Sequence, residues 1–153
     1  MAADGAPILA IADVIRLAVA PVFLLSGVGV TLTVLTNRLG RTVDRARVLE
    51  GRETSTTGAA EVEDLKRQLL VLERRAHLLG RSIALCTVCA LLVALVIITL
   101  FLGAFFRFGS AGVIAGLFIL AMLSFTGALL LFLREVFIAT AAMRIGLRRR
   151  TGR

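Results

Sequence analysis

Chemistry-bearing residues are scarce in this chain of 153 residues. There is one histidine, His77, one lysine, Lys66, and two cysteines, Cys86 and Cys89. No Ser/His/Asp set, phosphate-cradling glycine loop or metal-ligand cluster can be assembled from what is present, so the sequence predicts no enzyme, no metal and no cofactor. The cysteines do form a C-x-x-C. His77, however, precedes Cys86 by nine residues, half a revolution away on a helix. The thiols read as small apolar core residues one turn inside a hydrophobic stretch.

Charge is missing from three long stretches: Leu17–Asn37, Ser82–Phe106 and Phe108–Leu133, of 21, 25 and 26 residues. An arginine flanks each end of all three. A bilayer core about 30 Å thick is crossed by about 20 apolar helical residues. The expected fold is therefore all-α and membrane-embedded, with three transmembrane helices over residues 17–37, 82–106 and 112–133. Basic residues are also missing from the start of the chain: Arg16 is the first, after Asp4 and Asp13. A secretory signal needs a positive leading segment, so the first apolar stretch reads as a retained span.

What charge there is lies unevenly. Of 18 basic residues, the segment between the first two stretches holds ten and the segment after the third holds six. The bias of Lys and Arg toward cytoplasmic loops places the amino terminus outside and the carboxyl terminus in the cytoplasm, in a multi-pass inner-membrane topology. The same bias accounts for the net charge of +8 without nucleic acid as a partner.

Heptad patterning continues past the apolar stretches. Val28, Leu32, Leu35, Leu39, Thr42, Ala46 and Leu49 recur at four-and-three spacing. A second seam runs through Leu65, Leu69, Leu72, Ala76, Leu79, Ile83, Cys86, Ala90, Val93, Ile97 and Leu100. The polar linker from Glu53 to Ala60 separates them. Two such helices predict an antiparallel coiled-coil hairpin over residues 38–81, projecting about 25–30 Å into the cytoplasm. A helical tail over 134–153 should pack beside it or lie on the membrane. Upstream, residues 8–19 read as a short interfacial helix, followed by Pro21 in the first turn of the first span.

Three further patterns are candidate sites. Ser26, Gly29, Thr33, Thr36 and Gly40 form a small, hydroxyl-bearing stripe opposite the leucine seam of the first helix. Such stripes let helices approach closely in lipid; the alternative is a lining for a hydrated pathway. Arg38, Arg41, Arg45 and Arg52 form a stripe at right angles to both. They anchor the topology and can pair with Glu61, Glu63, Asp64 and Glu73, or they capture anionic lipid headgroups. In a ring of subunits they would make a cationic vestibule. Arg134 and Glu135 are a charge pair at the inner boundary of the third span, and Glu135 is a partner for an arginine such as Arg38 or Arg81. The third span also opens on a G-x-x-x-G, Gly112 to Gly116, with Ala121, Ser124, Gly127 and Ala128 below it.

The segments Pro21-Val-Phe-Leu-Leu-Ser-Gly-Val-Gly, Leu35-Thr-Asn-Arg-Leu-Gly-Arg-Thr-Val-Asp-Arg-Ala-Arg, Leu72-Glu-Arg-Arg-Ala and Leu133-Arg-Glu-Val-Phe, with the Leu117-Phe-Ile run, resemble a bacterial membrane family. It is known as a domain of unknown function, number 2721 in that series. The resemblance covers about residues 10–147. It implies a bacterial inner-membrane location with three spans, and it carries no activity, substrate or site residues.

The expected function is accordingly a non-enzymatic homo-oligomeric helical assembly in the bilayer, channel-like in the sharper version. The alternative is a membrane-anchored adaptor that binds a protein partner or anionic lipid through the arginine-rich hairpin. Three spans are too few for a monomeric transporter built from repeated halves.

Overall fold

The computed structural model describes the backbone of residues 5–53, 58–106 and 111–151, and the side chains of residues 12–53, 58–106 and 111–140. Three helices account for all of them except Gly58: α1 (Gly5–Glu53), α2 (Ala59–Phe106) and α3 (Ala111–Thr151). Residues 54–57 and 107–110, the latter within the expected external loop between the second and third spans, lie outside the described set. All three helices are long and apolar enough to cross a membrane. Only 11–22% of the residues in their most apolar windows are buried within the chain. The remainder turns large apolar side chains outward, Phe23, Leu91, Phe105, Ile119 and Leu130 among them. A contiguous apolar exterior of this extent needs hydrocarbon around it.

The separate interfacial helix expected over residues 8–19 is not there. α1 passes through Pro21 as one element, and Pro21 itself is buried. Proline removes one N–H, to which the carbonyl of Leu17 would otherwise be bonded. Ending the helix in apolar surroundings would orphan several backbone groups instead of one, so continuing is the cheaper solution.

The chain divides into two compact units. The first comprises residues 1–32 and 85–126. Its interior is made of Ala18, Val28, Cys86, Cys89, Val93, Val96 and Ala121, small or β-branched side chains that allow close helix approach. Ser124 on α3 donates its hydroxyl to the backbone carbonyl of Leu85 on α2 at 2.9 Å. That bond satisfies a polar group for which lipid offers no partner.

The second unit comprises residues 33–84 and 127–153. Leu35, Thr42 and Leu49 are buried on α1, and Leu65, Leu72 and Leu79 on α2, each set at seven-residue spacing. Leu49, Leu65 and Leu72 form one apolar cluster with Ala46 and Leu69 packed against it. Thr42 fits this series because its Oγ1 donates to the Arg38 carbonyl at 2.9 Å, which leaves its methyl for packing. α2 starts on Gly58, whose carbonyl accepts from the N–H groups of Glu61 at 3.1 Å and Val62 at 3.0 Å. Glu61 in that first turn complements the helix dipole.

Candidate functional site

The densest polar arrangement lies in the second unit and draws one side chain from each helix. Glu135 on α3 is fully buried. It occupies the third step of a seven-residue series whose earlier members, Ala121 and Ala128, are also fully buried. The inward face of α3 thus places a carboxylate where the pattern otherwise places alanine. Arg75 on α2 donates to Glu135 Oε1 twice, from Nη2 at 2.8 Å and from Nε at 3.0 Å. Arg38 on α1 approaches the other oxygen, Oε2, with Nη1 at 3.3 Å. The second contact is ionic without hydrogen-bond alignment, so Oε2 accepts no directed bond among the described residues. The Arg38 guanidinium also sits over the Phe132 ring, 5.1 Å from its centroid, in a cation–π contact that fixes its orientation.

Electrostatics explain why the carboxylate tolerates burial. An isolated buried charge is strongly disfavoured, while a charge-assisted pair with two guanidinium groups offsets much of that cost. Two cations facing one anion leave the cluster with one positive charge in excess, carried on arginines that reach solvent: side-chain exposure is 35% for Arg38 and 22% for Arg75. Nearby on α2, Ser82 is also fully buried, and its hydroxyl has no hydrogen-bond partner among the described residues.

The residues singled out in the sequence are placed as follows. Glu135 is paired with Arg38 and with Arg75, and Arg81 does not reach it. Arg81 follows Arg75 by six residues, about 240° round the helix, and is exposed. Arg134, the sequence neighbour of Glu135, is exposed on another face of α3. Arg41 and Arg45 are exposed and make no ion pair among the described residues. Arg52 is exposed at an open groove lined with Leu49, Glu61, Asp64, Leu65 and Gln68. Two of the acids offered as partners for the arginine stripe also bond within their own helix: Glu63 with Arg67 at 3.4 Å, and Asp64 with Gln68 at 3.1 Å. Glu53 closes a bridge from α1 to Lys66 on α2 at 4.0 Å.

Ser26, Gly29, Thr33, Thr36 and Gly40 are all exposed. A Cβ added at Gly29 or Gly40 would meet nothing within 4 Å. Thr36 Oγ1 donates to the Thr33 carbonyl at 3.1 Å, so that hydroxyl is satisfied locally. Gly112 and Gly116 are open in the same way, whereas Ala121, Ser124 and Ala128 turn inward. Cys86 and Cys89 are buried free thiols. Among the described residues, no three His, Cys, Asp or Glu side chains converge on a point that could hold a metal ion.

Sequence reasoning placed Cys89 in the core but missed Arg75 and the buried Ser82 and Val96 that share its series on α2. The signal was present as a strict seven-residue spacing, 75, 82, 89 and 96, offset from the leucine seam. Its members are too unlike one another to register as a hydrophobic stripe.

A family model described as "Protein of unknown function (DUF2721)" matches residues 18–145. No curated protein and no solved structure matches the chain.

Proposed function

Because the chain belongs to the DUF2721 family of proteins of unknown function, membership brings no activity with it, and we propose on physical grounds that this is a non-catalytic, self-associating helical assembly of the bacterial inner membrane. In this reading α1 and α2 continue out of the bilayer as an antiparallel coiled-coil hairpin on the cytoplasmic side, with the amino terminus outside and the carboxyl terminus inside. The distribution of arginine supports that orientation. The seven-residue spacing of Leu35, Thr42 and Leu49 against Leu65, Leu72 and Leu79 supports the hairpin.

One observation carries the assembly. α1 has three faces, and two of them make side-chain contacts with the other helices of the second unit. The leucine face meets α2 at Ala46 and Leu49, and the arginine face meets α3 through Arg38 and Glu135. The third face, with Ser26, Gly29, Thr33, Thr36 and Gly40, is exposed. Glycine and serine on a lipid-facing surface leave a shallow furrow that fits the same furrow on another copy better than it fits acyl chains. With threonine hydroxyls along it, a closed ring of such faces has a channel-like role. The alternative, an adaptor working through the arginine hairpin, draws on the exposure of Arg41 and Arg45.

Native mass spectrometry of the protein released from lipid nanodiscs tests the reading. We expect an oligomer, and Gly29→Leu combined with Gly40→Leu should shift it to monomer by at least tenfold in dissociation constant, the loss expected when two close backbone contacts are blocked. In a ring of four or more, Thr33→Leu and Thr33→Asp should change single-channel conductance in opposite directions. A wild-type monomer that passes no current ends the proposal.

A further inference from the structure

The exposed arginines on the membrane-proximal part of α1 raise the question of what neutralises them. Arg41 and Arg45 lie one turn apart on one face, and both are exposed. Asp44 lies between them in sequence and is exposed as well, yet it makes no ion pair with either. Arg38, one turn earlier on the same face, is only partly occupied: a single Nη1 contact to Glu135 at 3.3 Å leaves its other donors free, and the Phe132 ring holds its plane in place. The Glu135 cluster beside it already has one positive charge in excess. The face therefore presents three guanidinium groups with less than one carboxylate among them.

Position along the helices narrows the occupant. Arg38 ends the first uncharged stretch, Arg81 precedes the second and Arg134 ends the third. The contacts of Glu135 with Arg38 and Arg75 bring the Arg38 and Arg134 ends to about one level in the second unit, with Arg81 about 9 Å further along α2 than Arg75. Arg81 and Arg134 are exposed too. A band of arginine at the border between an apolar exterior and a charged one lies at the depth of lipid phosphates. Guanidinium groups bind phosphate with two parallel N–H donors each, and Arg41 and Arg45, spaced by one helical turn, fit the non-esterified oxygens of one headgroup.

We propose that Arg41 and Arg45, with the free edge of Arg38, bind the phosphate of an anionic phospholipid at the inner surface of the membrane. The inference rests on the membrane placement proposed above and gives the adaptor alternative a partner of defined chemistry. It is independent of self-association, because the arginine face and the small face of α1 are more than 100° apart.

The test uses the full chain in detergent, titrated with phosphatidylglycerol or phosphatidylcholine and read by native mass spectrometry. Phosphatidylglycerol should be retained at least tenfold more tightly than phosphatidylcholine. That preference should fall about tenfold in Arg41→Gln/Arg45→Gln. The charge-matched control Arg47→Gln/Arg74→Gln, on exposed residues elsewhere, should keep it. Helical circular dichroism checks that each variant is folded; both substituted pairs are exposed, and both variants should match wild type. Equal retention of the two lipids, an unchanged preference in Arg41→Gln/Arg45→Gln, or an equal loss in the control overturns the proposal. Displacement by inorganic phosphate at matched concentration would show a free-anion site and overturns it as well. The same spectra count subunits, so a monomer that still holds phosphatidylglycerol defeats the assembly while leaving this site intact.

Discussion

Glu135→Ala should lower the unfolding free energy by about 3 kcal/mol, measured as a shift in the midpoint of denaturant unfolding in micelles. Breaking a buried ion pair by deleting one partner costs about 3–5 kcal/mol, because the remaining charge is left without compensation. The lower end applies here, since Arg38 and Arg75 keep 35% and 22% of their side chains exposed and can relax toward water. The two arginines are not equivalent. Arg75 makes both short bonds, at 2.8 and 3.0 Å, so Arg75→Ala should cost more than Arg38→Ala, which loses one contact at 3.3 Å and the face of Phe132. Glu135→Gln keeps the shape and removes the charge, and should fall between wild type and alanine. The decisive variant replaces all three charges at once. Arg38→Met, Arg75→Met and Glu135→Leu together should restore most of the stability lost in Glu135→Ala, because the cluster's contribution is set against its own desolvation. If Glu135→Ala stays within about 0.5 kcal/mol of wild type, the cluster is not a tie between the helices.

Three apolar helices were legible in the sequence because each uncharged stretch ends at an arginine, and the signal is redundant over more than twenty residues. The leucine seams were legible for a related reason: heptad spacing puts Leu35, Leu49, Leu65, Leu72 and Leu79 on the faces that turn inward. The cluster around Glu135 was legible only in part. Its acid stood out as one of two charges in a long apolar run, and Arg38 was a natural partner by position. The choice of Arg75 over Arg81 depends on how α2 is rotated against α3. The inward face of α3 is marked by the buried Ala121 and Ala128, and an alanine reads in sequence as easily for an outward face as for an inward one. Pro21 misled for the opposite reason. Its local rule, that proline ends or begins a helix, is strong in water, and it yields where breaking the helix would orphan more backbone groups than the proline does. The small stripe on α1 was legible as a stripe, and its five residues are exposed.

Leu79→Ala should be the most damaging single truncation in the second unit, at about 3–4 kcal/mol. Leu79 is fully buried, so its loss removes transfer free energy and also opens a cavity that the surrounding helices fill only in part. Leu35→Ala, at 1% exposure, should behave alike, and Leu70→Ala, at 62%, should fall within about 0.5 kcal/mol of wild type. The useful comparison is with Val93→Ala. Val93 is equally buried, in the first unit, within the most apolar stretch of α2. In hydrocarbon no hydrophobic driving force holds helices together, because lipid tails solvate a separated valine as well as its neighbours do, and only packing is lost. Val93→Ala should therefore cost about 1 kcal/mol or less, below the cost expected for the same truncation in a water-surrounded core. A Leu79→Ala cost well above that of Val93→Ala, beyond what one additional methylene at about 0.8 kcal/mol accounts for, places Leu79 where the unfolded chain meets water. Equal costs after that correction would put Leu79 in lipid and move the base of the proposed hairpin into the bilayer.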